Sequence, residues 1–102
     1  MLSRHYAPQT QMYVTHNMAD SIDRFSDSKI GILVFKEGIL NDRIKHQEIL
    51  SLSGNFSEAA KNLYAAMHRL DNQGLDVIIA EFLPDKDLGK SINDKLKRAA
   101  KK

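Results

Sequence analysis

The chain is short and close to neutral in charge. It has 102 residues, 42% hydrophobic and 27% charged, and a formal net charge of +2. This fits one domain with a modest core and gives little general attraction to nucleic acid. The absence of cysteine excludes disulfides and zinc–thiolate sites and fits a reducing cytoplasm. We expect no membrane association, since no apolar run reaches the about 20 residues of a membrane helix.

The first part of the chain predicts a linker, a strand and a short helix. Residues 1–10 show no periodicity, and Pro8 favours an extended backbone before it. Residues 11–15 have the apolar and β-branched composition of a strand. Apolar side chains at helical spacing over residues 18–25 predict an amphipathic helix, with Asn17 as its N-cap.

The middle of the chain predicts two further strands separated by a loop. Residues 29–35 are apolar at both odd and even positions, which is typical of a strand buried on both faces. Residues 36–47 contain glycine and asparagine and predict a loop. Residues 48–53 contain Ile49, Leu50 and Leu52 and predict the third strand.

Residues 56–73 give the clearest helical pattern, because their apolar side chains form one continuous stripe. Asn55 and Glu58 have the spacing of a capping pair at its start. Gly74 is placed to end the helix in a left-handed conformation. Residues 76–82 then predict a fourth strand.

The last predicted element is a helix that begins near Leu88, after Pro84 has ended the fourth strand. We expect Asp85 and Asp87 to cap this helix, where carboxylates favour the positive end of the dipole. Strands and helices thus alternate along the chain. The pattern predicts an α/β fold, as a small Rossmann-like three-layer domain with a mostly parallel sheet of about four strands.

Three residues form a candidate ligand crevice. His16 follows the first strand, Gly54 lies between the third strand and a helix, and Pro84 follows the fourth strand. Ligands of α/β folds bind at the carboxyl ends of parallel strands. Against this, the sequence has no G-x-G-x-x-G and no phosphate-loop motif, so we interpret Gly54 as an ordinary strand-to-helix turn.

Metal and nucleic-acid sites are not indicated. No two of the four histidines have the i, i+4 spacing of a helical metal site, so we expect no metal. Basic residues do gather near the C-terminus, but cations there also favour the helix dipole. We therefore expect no direct contact with tRNA from the following residues: Lys95, Lys97, Arg98, Lys101 and Lys102.

Two segments resemble a known enzyme family, the long-form threonylcarbamoyl-AMP synthases. Residues 1–8, M-L-S-R-H-Y-A-P, resemble the family's linker, in which a Ser-Pro-Gly-Met-like segment leads into His-Tyr-x-Pro. Residues 60–100 are similar to its C-terminal end. There a helix ending in L-D-x-x-G precedes a D-x-I-x-A-E-x-x-P strand and a G-L-G-x-A-I-x-D-R-L-x-R-A-A helix. Asp87, Ser91 and Lys95 depart from that pattern, where Gly, Ala and Arg are usual.

The resemblance implies a division of labour between two domains. The full enzyme makes threonylcarbamoyl-adenylate from threonine, bicarbonate and ATP, with magnesium, for tRNA modification. Its site lies in a YrdC-like N-terminal domain, which this chain lacks, so the chain is either a fragment or the product of a split gene. Residues 1–10 would be the interdomain linker and residues 11–102 an accessory, regulatory domain. On this basis we expect no catalytic residues and no cofactor in the chain itself.

The linker contains an unusual succession of chemical groups. Arg4, His5, Tyr6 and Pro8 provide a cation, an imidazole, a phenol and a rigid ring. The family resemblance implies that such a linker covers the active site, as lids do in many enzymes. The alternative is that Tyr6 and Pro8 pack the linker onto this domain. A different class of function also remains open, an independent nucleotide-binding or ATP-hydrolysing α/β domain.

Overall fold

The computed structural model describes residues 6–101 and has four strands and three helices in that part of the chain. Within those residues, no helix combines the length and hydrophobicity needed to cross a bilayer. The elements follow in this order: β1 (Gln11–Thr15), α1 (Met18–Arg24), β2 (Ile30–Val34), β3 (Ile44–Ile49), α2 (Phe56–Asp71), β4 (Val77–Glu81) and α3 (Leu88–Ala100).

The strands form one parallel sheet in the order β1-β4-β2-β3. The helices cover both faces, with α1 on one face and α2 and α3 on the other. This confirms the α/β class, the three layers and the four-stranded sheet. It also places β1 and β3 at opposite edges, which the sequence pattern does not reveal.

Alternation along the buried strands divides the core into two parts. In β4, Ile78 and Ala80 face α2 and α3, whereas Val77 and Ile79 face α1. All four side chains are almost fully buried, because successive side chains of a strand point to opposite faces and both faces are covered. The continuous apolar run of β2 has the same explanation.

The third strand lies earlier in the chain than predicted. It spans residues 44–49 and not 48–53, and residues 51–54 form a turn closed by a hydrogen bond from the Gly54 N–H to the Ser51 carbonyl (3.0 Å). As an edge strand, β3 is only partly buried, and its polar centre gives no period-2 signal. Leu52, which suggested a strand, is 78% exposed.

The ends of α2 agree with the predicted signals. Asn55 is the N-cap, and its side chain accepts a hydrogen bond from the Glu58 N–H (2.9 Å). Glu58 does not complete a direct capping box. Its carboxylate accepts a hydrogen bond from the Ser51 hydroxyl, and the Ser51 hydroxyl oxygen in turn accepts one from the Asn55 N–H. Gly74 has φ +68, the left-handed conformation expected after the helix.

The predicted acidic cap of α3 is confirmed in the position of Asp87 but not in a capping hydrogen bond. Asp87 occupies the N-cap position, but its side chain makes no capping hydrogen bond, and the first turn contains no acidic residue. Its backbone has φ 51 and ψ −136, a region that favours glycine. This position is the one at which the sequence departs from a usual Gly. Asp87 thus has a backbone conformation that glycine would adopt without strain.

Candidate functional site

A single carboxylate at the end of α2 binds the segment that precedes β1. Oδ2 of Asp71 accepts hydrogen bonds from the Tyr6 hydroxyl (2.7 Å) and the Gln9 N–H (3.0 Å). Oδ1 accepts the Thr10 N–H (2.9 Å) and the Thr10 hydroxyl (2.8 Å). Since α2 runs antiparallel to the strands, its last residue lies on the side of the sheet where the strands begin. We call this side the amino-terminal edge and the side where the strands end the carboxyl-terminal edge. We call Tyr6, Gln9, Thr10 and Asp71 the linker clasp.

The electrostatics of the clasp favour an ionised carboxylate beside a neutral phenol. Burial alone would raise the pKa of Asp71, but the hydrogen bonds from Thr10, Tyr6 and Gln9 outweigh burial and lower the pKa to about 2. Burial and the adjacent carboxylate raise the pKa of the Tyr6 hydroxyl above its usual value. The clasp therefore remains charged on Asp71 and protonated on Tyr6 at neutral pH.

The clasp also has an apolar side. The half-buried Tyr6 ring packs against the core and lies 5.8 Å from the His68 ring, between centroids. Pro8 is buried. Two of the four predicted lid residues thus pack against this domain, which is the arrangement that the packing alternative anticipates. Arg4 and His5 lie outside the described residues.

The carboxyl-terminal edge of the sheet, where the strands end, has an open crevice. From the carboxyl ends of the neighbouring strands β1 and β4, α1 and α3 leave towards opposite faces, and such a topological switch point is where α/β folds bind ligands. The His16 ring stacks on Phe82 at 4.2 Å there. A cavity of about 510 Å³ is lined by the following residues: His16, Phe82, Leu83, Pro84, Asp85, Asn93 and Lys97.

The three residues of the predicted crevice do not come together. His16 and Pro84 line the same cavity, but Gly54 does not. Gly54 follows β3, which is three strand spacings, about 14 Å, from β1 across the sheet. It lies in the turn before α2 with φ +73, close to the Lys36 side chain. The structure thus agrees with the interpretation of Gly54 as a turn residue.

The crevice wall formed by the β4–α3 connection is held rigidly. The buried Asn93 side chain accepts the Leu83 N–H (2.8 Å) and donates to the Leu83 carbonyl (2.9 Å). Gly89 allows α3 to approach closely, because a Cβ there would lie 2.0 Å from the Pro84 carbonyl oxygen. The backbone beside Pro84 is therefore fixed by α3 on two sides.

A third polar group lies on the surface between β3 and α2. Glu48 accepts hydrogen bonds from Arg69 (2.8 and 3.0 Å) and contacts the His46 ring at 2.7 Å. Burial opposes ionisation of Glu48, but these partners lower its pKa overall. Over residues 6–101, no three side chains of the metal-ligating types are grouped as a metal ion requires. We interpret the Glu48 group as an ion pair that joins edge strand and helix.

Comparison with known proteins identifies the family. The family model of the threonylcarbamoyl-AMP synthase C-terminal domain matches residues 1–101. The chain belongs to this family. The threonylcarbamoyl-AMP synthase of Pyrococcus abyssi is 31% identical over 106 aligned residues, which cover 98% of this chain and 31% of that protein.

Solved structures of the P. abyssi protein share the fold. Sua5 complexed with L-threonine has a TM-score of 0.72 at 25% identity, over 96% of this chain and 30% of that one. A variant of the same protein, with a histidine and the tyrosine after it replaced by alanine, has a TM-score of 0.69 at 24% identity, over 91% and 28%. The chain therefore spans slightly less than a third of these relatives.

The family motifs contain the residues that the sequence analysis did not assign. Asp71 is the aspartate of L-D-x-x-G, and the structure joins it to the tyrosine of His-Tyr-x-Pro. Phe82 lies within D-x-I-x-A-E-x-x-P, but only the strand order places it beside His16. Asn93 gave a local signal, since it is polar on the apolar face of α3 and buried there.

Proposed function

We propose that this chain is the accessory, regulatory domain of a threonylcarbamoyl-AMP synthase and that catalysis takes place in a YrdC-like partner domain. The observation that carries this proposal is the family match over residues 1–101, combined with coverage of only 31% of the P. abyssi enzyme. The complete enzyme would join threonine, bicarbonate and ATP into threonylcarbamoyl-adenylate for tRNA modification in the cytoplasm. The partner domain would be linked in cis or supplied as a separate chain.

The linker would cover the catalytic site of the partner domain. Of the predicted lid residues Arg4, His5, Tyr6 and Pro8, the first two can present charge and hydrogen bonds to an anionic substrate and exclude water from it. The P. abyssi variant supports the choice of this segment for study, because a consecutive His-Tyr pair is replaced in it and His5-Tyr6 is the only such pair in the sequence of this chain. In this arrangement Tyr6 and Pro8 form the base that packs on the accessory domain.

A reconstitution experiment tests the proposal. The chain alone is incubated with threonine, bicarbonate, ATP and magnesium, and threonine-dependent pyrophosphate release is measured. We expect none without the catalytic domain and release when that domain is added or joined. His5→Ala should impair synthesis in the joined enzyme without lowering the melting temperature. Synthesis by the chain alone would contradict the accessory role, and normal synthesis by His5→Ala would contradict the covering role.

The second candidate function is nucleotide binding by this domain itself. The switch-point crevice favours it, because the His16–Phe82 ring pair could stack on a base and Lys97 could meet a phosphate. The missing glycine-rich loop counts against it. Calorimetry with ATP decides between the two. A dissociation constant of about 1 μM that weakens in Lys97→Ala would favour this candidate over a purely accessory role.

A further inference from the structure

We propose that Asp71 is a positioning residue for synthesis: it fixes the point at which the linker leaves this domain and thereby sets what the preceding residues can reach. The proposal rests on the proposed function of the linker. Asp71 would not touch the substrates. It would act through Tyr6, Gln9 and Thr10, which it holds against the amino-terminal edge of the sheet.

The geometry of the clasp is specific to this task. Both carboxylate oxygens are used, each accepting two hydrogen bonds from linker residues that lie 61–65 positions away in the chain. Two of the four donors are backbone N–H groups, so the clasp fixes the path of the main chain and not only two side chains. The buried Pro8 limits the backbone between the two halves of the clasp.

The clasp restricts where the catalytic domain can lie. Each residue spans at most about 3.6 Å of extended chain, so Arg4 and His5 cannot act far from an anchored Tyr6. A linker that covers the catalytic site from this anchor requires the partner domain to approach the corner formed by Asp71, His68 and the start of β1. Misplacing a catalytic group by even about 1 Å can reduce turnover as much as a hundredfold. Loosening the anchor should therefore reduce turnover.

The chain offers a matched control at the same edge. Asp76 also accepts a backbone hydrogen bond, from the Lys29 N–H at 2.8 Å, and it joins the start of β4 to the start of β2. The two aspartates are five positions apart, and within the described residues Asp76 forms its hydrogen bonds with Lys29 and not with the linker. Asp76→Asn removes the charge of another carboxylate that joins two segments at this edge and leaves the clasp intact.

Activity of the joined two-domain enzyme is the first test. Tyr6→Phe and Asp71→Asn are compared with Asp76→Asn at a temperature well below unfolding, by threonine-dependent pyrophosphate release. We expect Asp71→Asn to lower kcat about tenfold, Tyr6→Phe to lower it by no more than that, and the double variant Tyr6→Phe/Asp71→Asn to be no slower than Asp71→Asn alone. Asp76→Asn should stay within about twofold of the unsubstituted enzyme.

The outcomes separate this inference from the proposed function. If Asp71→Asn is as active as Asp76→Asn while His5→Ala is impaired, the clasp does not position the linker. Additive losses from the two clasp variants would also overturn the inference, since the Tyr6 hydroxyl acts through its bond to Asp71 and the two losses should overlap. If His5→Ala is fully active as well, the covering role of the linker fails, and the positioning role of Asp71 fails with it.

A titration of the 102-residue chain tests the clasp without catalysis. The neighbouring Asp71 carboxylate contributes to the raised pKa of Tyr6. In Asp71→Asn the Tyr6 hydroxyl should therefore ionise at a lower pH. The NMR resonances of the Tyr6 ring measure this titration. Asp76→Asn should leave that titration unchanged. An unshifted Tyr6 titration in Asp71→Asn would show that the two groups do not interact in solution and would overturn the proposal.

Discussion

The amino-terminal and carboxyl-terminal edges of the sheet differ in how their polar groups are used. At the amino-terminal edge, the Asp71 carboxylate accepts four hydrogen bonds from the linker segment of its own chain. At the carboxyl-terminal edge, the His16 and Phe82 rings stack beside an open cavity, and Lys97 has no ion-pair partner within the described residues. One edge is occupied by the protein itself, and the other remains accessible to another molecule.

This difference indicates which edge would serve the proposed accessory role. Hydrogen bonds to an ionised carboxylate are stronger than neutral ones, and the clasp concentrates four of them on the segment that we propose covers a catalytic site. The crevice has the location of a ligand site, but Lys97 is the one lysine or arginine among the described residues that line it, and the sequence has no glycine-rich loop. The comparison predicts that changes at the clasp affect the linker, whereas changes at the crevice affect local packing.

The largest expected effect is at the wall of the crevice. Gly89→Ala should destabilise the domain by about 3 kcal/mol, because the new Cβ would overlap the Pro84 carbonyl oxygen, a backbone atom that cannot rotate away. Urea unfolding measures the change. Gly74→Ala is the control, since its Cβ would meet open space and only its φ of +68 disfavours alanine, at about 1 kcal/mol. Equal losses in both variants would show that close packing at Gly89 is unimportant.

The next effect is at the clasp and depends on pH. Asp71→Asn should lower the free energy of unfolding by about 1–2 kcal/mol at neutral pH, after allowing for solvent screening. The pKa of Asp71 is lowered from 3.8 to about 2 in the folded state, so its contribution is present above pH 4. This contribution of Asp71 to stability is lost as the pH falls from about 4 towards 2. Unfolding curves of the two proteins should therefore converge as the pH falls from about 4 to about 2. A gap that does not change with pH would mean that the charge of Asp71 is unimportant.

The sequence predicted the elements better than it predicted the two edges. Periodicity located the helices and the buried strands β2 and β4, because their apolar patterns are local. It misplaced β3, whose half-buried polar residues carry no such pattern. The clasp joins residues 65 positions apart, and no local pattern encodes that contact. Gly54 does not belong to the crevice, although it was predicted there, because β1 and β3 are the two outermost strands of the sheet. That strand order cannot be read from the sequence.

A smaller effect, of opposite sign, is expected where α3 begins. Asp87→Gly should stabilise the domain by about 1 kcal/mol, because the backbone at this position has φ 51 and ψ −136, which glycine adopts without strain. The Asp87 side chain makes no capping hydrogen bond that would be lost. Thermal unfolding measures the gain, with Asp85→Gly as the control in the same loop. A loss of stability in Asp87→Gly would show that its carboxylate contributes more than the strain costs.

The smallest expected effect is the response of the isolated chain to ATP. We expect a dissociation constant weaker than about 1 mM, because the crevice supplies one lysine and a ring pair where phosphate sites use a row of backbone N–H groups. Calorimetry and NMR shifts of His16 measure the binding. Lys97→Ala should change neither the heat nor the melting temperature, since Lys97 is exposed on α3. Tight binding that is lost in Lys97→Ala would reverse the comparison between the edges and make the crevice a functional site of the domain. Tight binding that persists in Lys97→Ala would place the nucleotide elsewhere.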